Sequence, residues 1–251
     1  MFDPRLIRAD VLKLRRRHGM LALCLVLTLG LVALMVIAAA IQHTSNPLEY
    51  APPGGLMAYR DMMFALTLMM PVVGAVVGAL AGAQDLESGV FRDLAATGRS
   101  RVALFGSRIP GACAIVLPIA GLAAAAAAIA AFTLADGSPT PHGATIITAT
   151  AGVITTGALS ATMSVGLAAL TGSKAPVITA MLAFNLALAP LVSGIAWLGD
   201  ARQAIPTNAL YRIGEGPNQV EMGLMTAILV VLVWAAVAFA AGAWRTQARE
   251  I

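Results

Sequence analysis

Residues 62–83 read MMFALTLMMPVVGAVVGALAGA, an apolar run without a single Asp, Glu, Lys, Arg or His. An α-helix of about 20 such residues crosses the hydrocarbon core of a bilayer, roughly 30 Å thick. Backbone groups in lipid must find their hydrogen bonds within the segment, so a helix is the solution open to a single run. Five more stretches have the same character: Met20–Ile41, Ile109–Leu134, Ala144–Leu170, Ala175–Leu198 and Gly223–Trp244. Composition agrees across the whole chain of 251 residues, of which 59% are hydrophobic and 11% charged. A soluble domain has roughly 25% charged residues, and disorder needs the opposite balance of hydrophobicity and charge. The sequence therefore predicts an all-α, polytopic membrane protein: one transmembrane domain over residues 1–251 with six spans.

The formal charge of +4 reflects topology rather than a nucleic-acid partner. Of the sixteen Lys and Arg, all but Arg60, Arg202 and Arg212 fall on one side of these six spans. The connecting loops are short, the regime in which basic residues mark the cytoplasmic face. Both termini are therefore predicted to be cytoplasmic. Ala38-Ala39-Ala40 resembles a signal-peptidase site, but the apolar run before it is long and the basic segment ahead of it contains Asp3 and Asp10. This favours an uncleaved first span.

Residues 1–19 read as an amphipathic helix lying at the membrane surface. Asp3 suits an N-cap and Pro4 a first helical position. Ile7, Val11 and Leu14 form a stripe, with Arg5, Arg8, Arg15 and Arg16 on the other side. That pattern fits an interfacial helix on anionic lipid, or a solvated basic arm that only sets topology. Residues 84–108, QDLESGVFRDLAATGRSRVALFGSR, form the one sizeable loop on the basic side between spans. Leu86, Val90 and Leu94 would share one face of a short helix, Thr97-Gly98 would break it, and Ser100 would cap the next helix. On the other side, residues 199–221 are too polar and broken to span. They form either short half-helices dipping into the leaflet or an exterior loop.

Several chemistries lack their residues. No G-x-x-x-x-G-K-[ST] phosphate loop is present, and Gly172-Ser173-Lys174 has neither its spacing nor its strand context. Carboxylates, Lys and His, which coupled carriers place within the bilayer, are absent from the spans. His18, His43 and His142 lie in loops or at span ends, so no Ser–His pair can form at depth. Cys24 and Cys113 sit in apolar runs and offer neither a disulfide framework nor a metal cluster. The chain is read as a non-enzyme that binds no cofactor or metal of its own.

The spans instead carry packing chemistry. Gly74, Gly78 and Gly82 repeat every fourth residue, which allows another helix to approach closely. That helix belongs either to the same chain or to a second subunit. Pro71, Pro118 and Pro190 lie within spans and would kink them. Asn185 is the most deeply placed amide, expected to bond to a neighbouring helix or else to line a pathway or subunit seam. Met62, Met63, Met69 and Met70 cluster in one half of the second span, as core filler or as an adaptable apolar surface. Met63, Met70 and Asn185 are the candidates for a pathway or seam.

The order of these features resembles the membrane subunit of type-2 ATP-binding-cassette (ABC) transporters. The residues that carry the likeness are Glu87-Ser88-Gly89-Val90-Phe91-Arg92-Asp93-Leu94, then Arg99-Ser100-Arg101-Val102-Ala103-Leu104, then Arg108. The family pattern is an acidic residue, a Gly two positions on, a Leu-containing helix, and Ser-Arg leading into the third span. Thr97-Gly98-Arg99 replaces the Pro usual before Ser-Arg, and Val90 stands where Thr is usual after the Gly. The resemblance implies that residues 1–19 are an elbow helix and that residues 84–96 are a coupling helix docking on a separately encoded ATPase. Asp85, Leu86, Glu87, Gly89, Val90, Phe91, Arg92, Leu94 and Arg101 would make that contact. It also implies ATP and Mg on the partner, and a second permease, identical or homologous. The pathway would lie at their seam near the first, second and fifth spans. The expected setting is the inner (plasma) membrane of a bacterial-type cell, with surrounding lipid and no nucleic acid as partner, and the expected cargo an exported apolar or amphipathic substrate. An energy-independent channel or secondary carrier, or a non-transporting scaffold, would share the six uncharged spans.

Overall fold

A computed structural model describes residues 4–90, 98, 100–214, 216 and 220–248. Helix α1 covers Pro4–Arg15. Six helices long and apolar enough to cross a membrane follow: α2 (His18–Ser45), α3 (Gly55–Glu87), α4 (Arg101–Thr133), α5 (Gly143–Thr171), α6 (Lys174–Ser193) and α8 (Leu224–Ala248). Between α6 and α8 lie a 3-10 stretch, Ala196–Ala204, and a short helix, α7 (Pro206–Ile213). Among the described residues there is no β-strand.

Helix α3 packs most extensively on α5, and the reason is in the sequence of both. A Cβ on Gly74 would stand 2.7 Å from Ser160 Cβ, and one on Gly82 would stand 2.9 Å from the Val165 carbonyl oxygen. On Gly78 it would run into the Ala161 carbonyl oxygen. The α5 face opposite is Gly157, Ser160, Ala161, Ser164 and Ala168, all small. The stripe is therefore a groove for a helix of the same chain rather than a seam between subunits. Lipid tails are as apolar as Leu, so close backbone approach is a principal source of helix–helix attraction in a membrane. Helix α5 uses Gly166 in the same way against Ala238 of α8, while Gly242 of α8 sits against the Phe105 ring.

Several boundaries differ from the sequence expectation. Helix α3 starts at Gly55 rather than Met62, so Arg60 and Asp61 belong to a helix and not to a loop. It also runs past Ala83 to Glu87, because nothing between them breaks a helix. Ser88 ends it, its hydroxyl donating to the Gln84 carbonyl, and Gly89 follows with φ +75°. A left-handed glycine just past the last turn is a common helix terminator. Leu86 thus belongs to α3 and is divided from Val90 by this break, so these two do not share one continuous helical face; Leu94 lies outside the described residues. The fifth span stops at Ser193, five residues short of Leu198, where Gly194 opens a turn. Trp197 and Leu198 fall in the 3-10 stretch, with Trp197 85% exposed.

Two spans contain a π-helical turn, Val26–Gly30 and Phe184–Leu188. The second precedes Pro190, which has no N–H to donate to the carbonyl four residues back; a one-residue slip in register accommodates that loss. Asn185 lies in this turn, and its amide donates to the Met181 carbonyl at 2.9 Å. Its hydrogen bond therefore stays within its own helix instead of reaching a neighbour.

The segment after α6 is short helical pieces rather than a plain loop. Ser193 Oγ donates to Asn208 Oδ1 at 3.1 Å, and Asn208 Nδ2 donates to the Arg202 carbonyl at 2.9 Å. Trp234 of α8 donates its indole N–H to the Ala204 carbonyl at 2.9 Å. The bonds to the Arg202 and Ala204 carbonyls satisfy backbone groups that an irregular segment leaves open.

Candidate functional site

The end of the bundle where α1, α3, α4 and the α5–α6 turn meet gathers most of the buried charge. Asp85, in the last turn of α3, is 7% exposed. Lys13 of α1 donates its Nζ to both Asp85 oxygens at 3.1 Å. Arg108 of α4, 3% exposed, donates Nη2 to Asp85 Oδ2 at 3.4 Å and Nη1 to the Gly82 carbonyl at 2.6 Å. One carboxylate therefore joins three helices, and the guanidinium adds a second tie to α3 through the Gly82 carbonyl, one turn before Asp85.

Asp10 of α1 adds a second tie. Ser107 Oγ donates to Asp10 Oδ2 at 2.8 Å. Gly111 makes room for this approach, since a Cβ there would stand 2.9 Å from Asp10 Cβ. Burial pushes the Asp10 carboxyl above its usual range, while Ser107, Lys13 and Arg108 pull the other way. A carboxyl whose pKa is higher in the folded state favours folding most when protonated. That contribution falls as pH rises from the ordinary carboxylate value through the raised one. Asp10→Asn, whose amide oxygen can still accept from Ser107, should change stability by less than about 1 kcal/mol at neutral pH. It should also flatten the pH dependence of thermal unfolding across the carboxylate range. A large loss of stability at neutral pH would show that the Asp10 charge itself is required.

Helix α1 is held on the protein by its apolar stripe as well. Leu14 is 2% exposed, and Ile7 and Val11 are half-buried. Glu87 makes a third tie across the same end of the bundle. Its Oε1 accepts from the Lys174 backbone N–H at 2.8 Å and from Ser173 Oγ at 3.0 Å, and its Oε2 accepts from Lys174 Nζ at 2.9 Å. A carboxylate at the first N–H of α6 satisfies an orphan donor and complements the helix dipole.

The residues expected at the coupling contact therefore divide. Asp85 and Glu87 bind their own chain, and Leu86 is half-buried in α3. Gly89 and Val90 are exposed, Val90 at 41%. Phe91, Arg92 and Leu94 lie outside the described residues. Arg101 donates to the Gln247 carbonyl at 3.5 Å, linking the start of α4 to the end of α8. Ser100 caps α4 by accepting from the Ala103 N–H at 3.2 Å. Met63 and Met70 are 3% and 0% exposed, and the Met70 methyl fills the space above Gly157. Met70 thus has no surface left for a subunit seam. Reading the sequence passed over Asp10, Lys13, Ser107 and Gly111 as parts of a site. The available signal was Asp10 itself: an acidic residue inside a basic arm adds nothing to topology and needs a local partner.

Six bilayer-length helices, with buried charge collected at the bundle end, define a multi-pass helical membrane protein. Residues 6–190 match the family described as ABC-2 family transporter protein. The chain belongs to that family: it is a permease subunit of an ATP-binding-cassette transporter, and such a subunit works with an ABC ATPase. The matched region runs from α1 into the fifth span and contains the whole charged junction. A comparison with curated proteins finds no significant match.

Proposed function

We propose that this chain forms a transmembrane domain that exports an apolar or amphipathic substrate, driven from the charged junction by a separate ATPase. The junction end is the cytoplasmic end, as its basic residues favour, and both termini lie on that side of a bacterial inner membrane. Two permease chains, identical or homologous, enclose the pathway near the first, second and fifth spans. Two ATPase chains hold the ATP and Mg, and this chain supplies no nucleotide site. Helix α1 acts as the elbow at the membrane surface.

The observation that supports this most is the Asp85 junction. The segment 88–96 leaves α3 immediately after a turn that is tied to α1 by Lys13, to α4 by Arg108 and to α6 by Glu87. Force applied to that segment is delivered to four helices as one body. Asp85 and Glu87 serve as anchors, and the ATPase contact falls beyond them, on the exposed Gly89 and Val90 and then on Phe91, Arg92 and Leu94. The apolar spans suit an apolar or amphipathic cargo, since a small ion would need polar ligands along its path.

The test is co-purification and transport with the ATPase. Val90→Glu and Arg92→Ala should each lower the amount of ATPase retained by about tenfold and leave thermal unfolding of the permease alone unchanged. In proteoliposomes, ATP-dependent export should fall in parallel. Full retention and full transport in both variants would remove the proposed contact. Transport that proceeds without ATP would replace the whole reading with that of a carrier or channel.

A further inference from the structure

At the end of the bundle remote from the charged junction, α3, α5 and α7 line an open cavity of about 540 Å3. That lies within the size range of small-molecule sites, about 300–1,000 Å3. Its walls include Arg60, Asp61, Met63, Phe64, Thr67 and Tyr211. The Phe64 and Tyr211 rings stand 5.8 Å apart, tilted at 55°. The cavity has a floor. The cleft that adjoins it, sharing Thr67 and Tyr211, has room for about 10 Å3, close to that of a single water. On that side the space is a pocket and not a conduit.

Its charges define what fits. Neither Arg60 nor Asp61 forms an ion pair with a described residue. Successive positions on a helix do not face each other, so the two side chains do not neutralise one another although they line one space. An anion alone would bind Arg60 against the repulsion of Asp61, and a cation alone would meet the reverse. A molecule carrying both signs satisfies both: its anionic group accepts charge-assisted hydrogen bonds from the Arg60 guanidinium, and its cationic group gains Coulombic attraction to the Asp61 carboxylate. Below the charges, Met63, Phe64 and Tyr211 offer flexible and aromatic surface to an apolar body.

We propose that this cavity binds a zwitterionic amphiphile, its anionic group on Arg60, its cationic group beside Asp61 and its apolar part against Phe64, Tyr211 and Met63. The same chemistry belongs to a zwitterionic phospholipid of the bilayer and to a transported amphiphile. The binding site itself does not depend on the direction of transport or on the ATPase contact.

The test is native mass spectrometry of the full chain released from an uncharged maltoside detergent. The chain is titrated with lysophosphatidylcholine, with lysophosphatidylglycerol and with a monoacylglycerol of the same chain length. The expected result is one lysophosphatidylcholine retained per chain, at least tenfold more tightly than either of the others. Arg60→Ala and Asp61→Ala should each weaken that retention about tenfold, with the thermal unfolding midpoint unchanged because both side chains are at exposed positions. Equal retention of all three amphiphiles, or wild-type retention in both variants, overturns the proposal. A second arm separates the sources. A phospholipid that co-purifies one per chain and is lost in Asp61→Ala assigns the site to the bilayer. Stimulation of ATP hydrolysis by added lysophosphatidylcholine in the permease–ATPase complex, absent in Asp61→Ala, assigns it to cargo.

Discussion

Gly78→Leu is expected to leave little or no folded permease. A Cβ at this position meets the Ala161 carbonyl oxygen and comes within 2.8 Å of Ser164 Cβ, and Leu adds three more carbons to the same space. The obstruction is backbone, which cannot swing aside as a side chain can. Overpacking a well-filled interior costs about 1–3 kcal/mol and sometimes more. Here the cost includes separating α3 from α5, the most extensive helix pair in the molecule. In lipid there is little hydrophobic force to press the two helices back together. Gly121→Leu is the matching control: it lies inside α4, yet no atom stands within 4 Å of a Cβ built there. Size-exclusion profiles and thermal unfolding in detergent distinguish the two. Gly78→Leu should appear aggregated or unfold many degrees lower, and Gly121→Leu should match the native chain. Native-like unfolding of Gly78→Leu would mean that α3 and α5 are not packed at this distance.

Asp85→Ala should lower the unfolding midpoint by about 10 °C, from a loss of about 3 kcal/mol. Breaking a buried ion pair costs about 3–5 kcal/mol, because the remaining charge is left desolvated. The lower figure applies for two reasons. Lys13, with its side chain 40% exposed, can turn to water, and Asp10 stays within electrostatic reach of Arg108. The penalty falls on Arg108, at 3% exposure. Adding Arg108→Leu to Asp85→Ala should therefore recover part of the lost stability, which a double-mutant cycle would read directly. Recovery of stability need not bring back transport. With α3 no longer bolted to α4, the ATPase should hydrolyse ATP with little export. An Asp85→Ala permease that transports normally with its ATPase would show that the junction is only structural.

The two predictions concern different parts of one mechanism. The glycine groove makes α3 and α5 a rigid pair, and the Asp85 junction makes α1, α3 and α4 move together at their common end. Glu87 extends that unit across the α5–α6 turn. The described charged residues of the spans lie toward the helix ends, and on the proposed reading the permease is moved from there. A rigid lever anchored by buried charge is a physically sufficient way to do so.

The amino-acid sequence by itself determined where the membrane helices lie. Moving an apolar residue from water to lipid is a property of that residue alone, so runs such as 144–170 mark their own helix to within a residue. The sequence also marked the stripe Gly74–Gly78–Gly82 as a close-packing surface, because a four-residue repeat of small residues has one geometric use. What it left open were pairwise choices: whether the stripe meets α5 or another subunit, and whether Asp85 faces a partner protein or Lys13 and Arg108. Those depend on residues tens of positions apart, and no local period encodes them. Local backbone events were also settled only in three dimensions. Gly89 separates Leu86 from Val90 by taking a left-handed turn, and Asn185 bonds within its own helix, in the π-helical turn that precedes Pro190. Charged residues near a span end look alike in sequence whether they set topology or bolt helices together. Burial distinguishes them, and burial exists only once the helices have packed.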